Sequence, residues 1–499
     1  MNLSRIIERH AQFAPAKTAI HFQERDIGYA ELWHRIDAAT HGLATRLGVR
    51  KGDRIAFLGY NHPEMVVMLF ALARLGAMLV PLNFRLAPPE HRVILDHADV
   101  TAVMVEPDFF AHCAAIRSAR PDMRRVALSD APEGWLDWRA IAAPGARPAE
   151  IAGEDADPVL IVYTSGTTGA PKGAVHTQAA LLWNMICSTH YHDLTAADQV
   201  LTVLPMFHVG GLCIQTLPAL HAGATVTVEP RFDPGGWIDA VAQRRPTLSL
   251  LVPATMKALL AHPRWPQADL SPLRMLCTGS SIIPESMIQA FFARGVTMTQ
   301  VYGSTETGPV SIYLRAEDAR RKAGFAGKAG LHVEIRLVDD EGRDVPPGRV
   351  GEIRVRALNL MQGYWRDPDN PSFRDGWFRS GDLAYQDEEG FYKVVGRSKD
   401  MIISGGENIY PAEIENILAE CDDIVEAAVV GVEDAKWGEA VVAAIVRRAG
   451  SALDEAAVMK LFEGRIARYK QPRRVAFLDA LPKTALGKVQ KPEVRKMLK

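Results

Sequence analysis

Through the first four-fifths of the chain, short apolar runs rich in β-branched residues alternate with helical patterns. The runs are "RIAFLG" (54–59), "VTAVMV" (100–105), "VLIVYT" (159–164), "ATVTVE" (224–229) and "LSLLVP" (248–253). Helical segments at 64–75, 178–189 and 284–294 lie among them. A strand that is apolar at nearly every position needs cover on both faces, and alternating helices supply it. The pattern predicts α/β layers around largely parallel sheets.

From about Val333 the pattern changes to hairpins. "VEIRLVDDEGRDV" carries Asp340-Glu341-Gly342 at its expected turn, and "YQDEEGFYKVVGR" carries Glu389-Gly390. Short strands around such turns predict a small β-barrel-like subdomain. After Arg397 come a glycine-rich "SGGENI", a helix in "YPAEIENILAE" with Pro411 in its first turn, strands "EAAVVGV" and "VVAAIVRR", and a helix over about 453–468. This predicts a compact α+β unit. The chain's 499 residues exceed the ~250–300 that one core accommodates. The expected division is 1–398, a large domain of layered α/β subdomains plus the small barrel, and 399–499, with the boundary at Lys399.

A net charge of −2 gives no reason to expect nucleic acid or an anionic membrane as partner. The cysteines Cys113, Cys187, Cys213, Cys277 and Cys421 are scattered without metal-ligand spacing, which suits reduced thiols and a cytoplasmic location. No secretory signal is expected, because "MNLSRIIERHAQFAP" reads as an amphipathic helix. The most apolar window, "MVVMLFALARLGAMLVPL", is broken by Arg74, Gly76 and Pro81, so a buried helix and strand are expected rather than a membrane span. Peripheral membrane contact and a homodimer are compatible with the sequence but not specified by it. Residues 465–499 hold eleven Lys/Arg against two Asp/Glu, a local attraction for a polyanionic small molecule or a solvated surface.

"YTSGTTGAPKG" (163–173) follows the buried strand "VLIV". The loop therefore emerges at a strand's carboxyl end, where α/β sheets bind ligands. Its glycines let backbone N–H groups approach phosphate oxygens. The hydroxyls of Thr164, Ser165, Thr167 and Thr168 add donors, and Lys172 adds a positive charge. It is not a Walker loop, since Gly173 follows the lysine. On composition alone, a solvent loop is an equal reading.

The wording of the loop resembles the phosphate loop of the adenylate-forming superfamily: acyl-CoA synthetases, peptide-synthetase adenylation domains and firefly-type luciferases. "LPMFHVGG" (204–211), "QVYGSTETG" (300–308), "WFRSGDLA" (377–384), "GRSKDMIISGGENIYPAEIE" (396–415) and "LPKTALGKVQK" (481–491) resemble further signatures of that family, in the family's order. The resemblance implies two steps: a carboxylate attacks the α-phosphorus of ATP, giving an acyl-adenylate and pyrophosphate, and a thiol then displaces AMP. Two anions meet in the first step, so positive charge and Mg²⁺ are expected.

By that resemblance Gly166, Gly169 and Lys172, with the hydroxyls around them, hold the β- and γ-phosphates. Glu306 anchors Mg²⁺, with Thr305 near the α-phosphate. Tyr302 lies against adenine, with Gly279, Ser280 and Ser281 along the ring edge. Asp382 and Arg397 take the ribose. Lys488 neutralises charge between carboxylate and α-phosphate, and His208 joins it at the reacting end. Lys399 is the expected hinge of a mobile C-terminal domain, which presents Lys488 in one orientation and the loop of Ser404, Gly405 and Gly406 in the other. Taken singly, each has a plainer reading: Asp382 a turn former, Arg397 a surface cation, Tyr302 a core aromatic, Lys488 a solvated tail residue.

Amino-acid-adenylating members usually carry Asp where this chain has His208, which argues against an amino-acid substrate. No carrier-protein domain follows, and the basic C-terminal segment suits free CoA. Val209, Gly210, Cys213, Gly303, Pro309 and Val310 are expected to line an apolar acid pocket. A second carboxylate has no partner in "HVGGLCIQ", leaving only Arg274 or Arg315 as candidates. A medium- to long-chain fatty acid is the first expectation. An aryl acid (cinnamate, 4-coumarate, benzoate or O-succinylbenzoate type) is the second. Carrier-protein loading and luciferase-like oxidation are more distant alternatives.

Overall fold

The computed structural model describes residues 2–116, 122–145, 149–165, 171–279, 283–404, 407–484 and 487–498. Among these, two large sheets organise the first domain. In one, parallel strands Arg54–Leu58, Met78–Leu82, Ala102–Val105 and Pro158–Ser165 form the centre, and Pro171–Thr177 turns back antiparallel on the last of them. In the other, Thr225–Val228, Gln199–Thr202, Leu248–Leu251, Met275–Gly279 and Met298–Tyr302 run parallel. The N-terminal strand Thr18–Phe22 pairs with Thr225–Val228, tying the start of the chain to its middle.

Alternation along the strands explains the layering. Ile55 and Phe57 enter the largest buried cluster, while Ala56 and Leu58 enter a second on the opposite face. In the other sheet, Val200 and Leu250 face the shared cluster, whereas Leu201 and Leu251 face a third. Helices Tyr29–Thr45, Pro63–Leu75 and Gln178–His192 fill the space between the sheets, and the outer faces carry their own helices, including Pro88–His97 and Pro234–Arg244. The product is five layers, as near-continuous apolar strands require.

The apolar window resolves as expected into the helix Pro63–Leu75 and the strand Met78–Leu82. Every residue of that helix is buried, Glu64 and Arg74 included. Arg74 pairs with Asp37 at 2.9 Å and stacks on Trp33, while Glu64 accepts from the Trp138 indole at 2.7 Å and pairs with Arg35. Paired charges of this kind survive burial. Gly76, at φ 69°, closes the helix in a left-handed cap. No helix among the described residues is long and apolar enough to cross a membrane.

The antiparallel strands Val333–Val338, Gly351–Ala357, Trp377–Gln386 and Tyr392–Arg397 build the small β-unit. Its second hairpin turns at Gly390, as the sequence predicts. Its first turn also falls where predicted: Val338 bridges Asp344 antiparallel, the Gly342 N–H donates to the Asp339 carbonyl at 2.9 Å, and Gly342 takes φ 82°, before the chain runs on to pair Glu352 with Val338.

The smaller C-terminal domain centres on the long hairpin Ile424–Asp434 and Gly438–Arg447, with Arg474–Phe477 parallel to its second strand. Helix Pro411–Leu418 covers one face; Leu481, Val494 and Leu498 pack on the other. The helix expected over 453–468 is shorter, Glu455–Lys460, because the chain then turns through Gly464 at φ 70°. On either side of Gly405 and Gly406, which lie outside the described residues, Ile402–Ser404 runs antiparallel to Glu407–Ile409.

Candidate active site

Strand endings bring several of the predicted nucleotide residues together. Thr164 and Lys172 sit opposite each other on paired strands, the threonine hydroxyl 3.4 Å from the Lys172 carbonyl. Gly166, Thr167, Thr168 and Gly169, with Ser280, Ser281, Gly405 and Gly406, lie outside the described residues, as does the Ser165 side chain. Tyr302 ends its strand and points its hydroxyl at Asp382, donating to Oδ2 at 2.8 Å. Arg397 Nε lies 3.0 Å from the other oxygen, Oδ1. Burial pushes the Asp382 carboxyl pKa up, against the pull of Arg397, Tyr302 and Lys488. Asp382 is therefore a desolvated acceptor whose neighbours oppose its protonation.

Glu306 follows the same strand and accepts from the Tyr364 hydroxyl at 2.9 Å. Thr305 beside it is buried. The Lys172 ammonium lies 5.1 Å from the centre of the Tyr364 ring and 3.8 Å from Asp367.

Lys488 arrives from the C-terminal domain. Thr484 and Lys488 close a small loop, the Thr484 N–H donating to the Lys488 carbonyl at 2.8 Å, and the packed Leu481 and Val494 flank the segment. The Lys488 side chain is exposed to the open cleft, yet protein crowded around its ammonium lowers the pKa. Arg397 adds to that, and Asp382 and Glu306 oppose it. The same ammonium repels a proton from His208, whose pKa burial and Lys488 together bring down to about 4. The His208 imidazole is thus neutral at pH 7. Its Nδ1 accepts from the Gly210 N–H at 3.0 Å, which leaves Nε2–H as a donor.

The acid side is built differently. After Val209–Gly211 the helix widens into a π-turn, Leu212–Thr216, before resuming at Leu217–His221. Such turns free backbone carbonyls, and here each is met. Asn184 Nδ2 donates to Cys213 O at 2.7 Å, Ser188 Oγ to Ile214 O, and Thr216 Oγ1 to Gly211 O at 2.6 Å. Val209, Gly210, Cys213, Pro309 and Val310 are all buried, and Val209, Cys213 and Val310 belong to the shared core. The adjacent glycines differ. A Cβ on Gly211 would stand 2.3 Å from the Pro205 carbonyl oxygen, and one on Gly303 2.3 Å from that of Pro309. A Cβ on Gly210 would meet only the His208 ring, at 3.0 Å. Gly211 and Gly303 permit close backbone packing; Gly210 leaves space.

Ser404 and Lys399 stand apart from this constellation. Ser404 is buried in the C-terminal sheet with its hydroxyl unpartnered, and Lys399 lies in the short 3₁₀ turn Ser398–Asp400. The two arginines left open for a second carboxylate are occupied. Arg274 holds Asp198 at 2.8 Å, and Arg315 holds Asp193 at 3.0 Å and Glu317 at 2.7 Å.

The family description "AMP-binding enzyme" matches residues 7–365, and its C-terminal domain matches residues 413–488. The chain belongs to this family. It is 51% identical to an indoleacetate–CoA ligase of Aromatoleum aromaticum, covering all of this chain and 98% of that one. It is 41% identical to a feruloyl-CoA synthase of Amycolatopsis sp, covering 98% and 97%. In structure it matches the anthranilate CoA ligase AuaEII, solved with anthranoyl-AMP, at a TM-score of 0.92 and 28% identity over 100% and 97% of the two chains. The resemblance seen in the motifs is thereby confirmed: the protein is an AMP-forming acid–CoA ligase that uses ATP, CoA and a small carboxylic acid.

The donor set of the ligase fits Mg²⁺ carried with a nucleotide. Among the described residues no group of three metal-ligating side chains occurs. A magnesium–nucleotide complex needs only one or two carboxylates, because phosphates and water complete its shell. Glu306 would supply one. Tyr364 and Asp367, which touch Glu306 and Lys172, were not among the sequence candidates, nor were Asn184 and Ser188, which secure the π-turn.

Proposed function

We propose that the ligase activates an aryl acid of the indoleacetate or hydroxycinnamate kind. The observation that carries this is the glycine at 210: a Cβ there would meet only the ring of the neutral His208, at 3.0 Å, whereas at Gly211 and Gly303 it would run into backbone. A planar ring fits where a side chain would otherwise point. The 51% and 41% relatives, named for indoleacetate and ferulate, support the same class. A long-chain-fatty-acid–CoA ligase of Mycobacterium tuberculosis is 36% identical over 91% of this chain, so the fatty acid first expected becomes the second reading. With Arg274 and Arg315 engaged elsewhere, a dicarboxylate has little to hold its second charge.

In the first step Lys172 and the loop before it hold the β- and γ-phosphates. Glu306 holds Mg²⁺, whose chemistry is to neutralise charge on the departing pyrophosphate. The ribose hydroxyls take over the Asp382 acceptors now used by Tyr302 and Arg397, and Thr305 stands near the α-phosphate. Lys488 lies between the substrate carboxylate and the α-phosphate, and His208 orients that carboxylate through Nε2–H. The C-terminal domain, residues 399–499, then turns about Lys399. That turn withdraws Lys488 and brings the loop of Ser404 to the cleft for CoA.

Pyrophosphate release over a panel of acids tests the substrate class: indole-3-acetate, ferulate, benzoate and straight chains from C2 to C18, each with and without CoA. Indole-3-acetate or ferulate is expected to give the highest kcat/KM; a C8–C18 chain outrunning every aryl acid would reverse the assignment. Lys399→Pro fixes φ at the turn and tests the hinge. Adenylation should persist while thioester formation falls, and an unimpaired overall rate would refute the rotation.

A further inference from the structure

The segment from Met361 to Asp367 joins two parts of the site that the chain keeps far apart. Gly363–Tyr364 pairs antiparallel with the strand carrying Lys172, Tyr364 opposite Ala174. The Gln362 N–H donates to Val175 O and the Trp365 N–H to Gly173 O, both at 2.7 Å. On its other side the Met361 N–H donates to the Glu306 carbonyl at 2.9 Å. The segment is itself anchored. The Trp365 indole donates to His97 O at 3.2 Å, and Arg366, at φ 58°, pairs with Asp99. A bulky residue holds a left-handed conformation only where its surroundings impose it, and this turn returns Asp367 toward Lys172.

From this clip one side chain reaches both ligand-handling groups. The Tyr364 hydroxyl donates to Glu306 Oε1, and its ring face lies under the Lys172 ammonium. A single donor on one oxygen fixes the plane of a carboxylate and leaves its second oxygen free, the arrangement by which outer groups orient metal ligands. A ring beneath an ammonium restricts a long flexible chain without using its N–H donors.

We propose that Tyr364 is the positioning residue of the magnesium–triphosphate site: it orients Glu306 for the metal through its hydroxyl and Lys172 for the phosphates through its ring. The inference rests on the assignment of Glu306 and Lys172 given above.

Calorimetric titration of the full-length enzyme with a non-hydrolysable ATP analogue, with and without Mg²⁺ and with no acid present, tests it. Tyr364→Phe keeps the ring and removes the hydroxyl. It should weaken Mg²⁺-dependent binding about 10-fold and leave metal-free binding unchanged. Tyr364→Leu should weaken both. In either variant the KM for the acid and the rate of thioester formation from supplied acyl-AMP should match wild type. Wild-type magnesium–nucleotide affinity in Tyr364→Phe would overturn the proposal. So would a uniform loss of acid and nucleotide affinity with a lowered Tm, which marks a structural role only. Glu306→Gln and Lys172→Ala separate the layers: if neither weakens magnesium–nucleotide binding, the assignment beneath the inference has failed rather than the role of Tyr364.

Discussion

At the nucleotide end of the cleft, charged groups hold one another: Asp382 is met by Tyr302 and Arg397, Glu306 by Tyr364, and Lys172 by the same ring and by Asp367. At the acid end, Val209, Cys213 and Val310 are fused into the main core, the carbonyls of Gly211, Cys213 and Ile214 accept from side chains, and a Cβ on Gly210 would meet only the His208 ring. On the proposed assignment, ATP would enter by exchanging partners with groups already in place, and the acid by filling space. Exchange of partners favours charge developing at fixed donors and thus serves the chemistry. Filling an apolar pocket discriminates by shape, at about 1–3 kcal/mol per methylene. Substitutions at the two ends should separate cleanly in what they change.

Removing Lys488 should produce the largest effect, because the proposed role puts its charge between the carboxylate and the α-phosphate. Lys488→Ala is expected to slow acyl-adenylate formation about 10²–10³-fold, read by ATP–pyrophosphate exchange, while thiol transfer from supplied acyl-AMP stays near wild type. Equal loss in both half-reactions would mean that Lys488 supports the fold of the cleft rather than the first step.

A change confined to the acid end should do the opposite. Gly210→Tyr fills the open position and should lower kcat/KM for aryl acids about 10–100-fold, with the KM for ATP unaltered. A parallel rise in both constants would erase the division drawn here. The neighbouring glycine sharpens it. Gly211→Ala drives a methyl into the backbone at Pro205 and Leu204 and should cost about 1–3 kcal/mol of stability, visible as a lowered Tm by calorimetry. Gly210→Ala should leave Tm within a degree or two of wild type, since a methyl there presses only on an imidazole edge.

The layers were legible in the sequence because apolar runs such as "RIAFLG" show that both faces of a strand are covered. Lys488, Asp382 and Glu306, on which the proposed chemistry rests, were singled out through their surrounding motifs. Tyr364 was not: "QGYWRD" has neither the glycine density of a phosphate loop nor a carboxylate for metal, and its role depends on a strand pairing between distant segments. The π-turn was hidden for a similar reason. Its stabilising donors, Asn184 and Ser188, lie on another helix whose period reads only as a buried face. The helix expected over 453–468 ended early because Gly464 takes the left-handed turn, a choice that helical periodicity does not reveal.

The last prediction concerns protons. Burial lowers the pKa of His62, His91, His176 and His208 to about 4 and that of His192 to about 3. All are neutral in the folded protein near pH 7, whereas an unfolded histidine titrates near 6.5. Between these values the unfolded chain binds more protons than the folded one, so stability rises with pH across the window. Tm should therefore hold above pH 6.5, fall progressively as pH drops from 6.5 toward 4, and lose this dependence below about 3. His208 belongs to the acid end and the other four to the scaffold, which separates two readouts. Its proton is disfavoured both by burial and by the nearby Lys488 ammonium. In Lys488→Ala the His208 pKa should rise toward 6.5, seen as a shifted imidazole titration by NMR, while His62, His91, His176 and His192 titrate as before. An unmoved His208 would mean that burial alone keeps it neutral, and the two ends of the cleft would then be electrostatically independent.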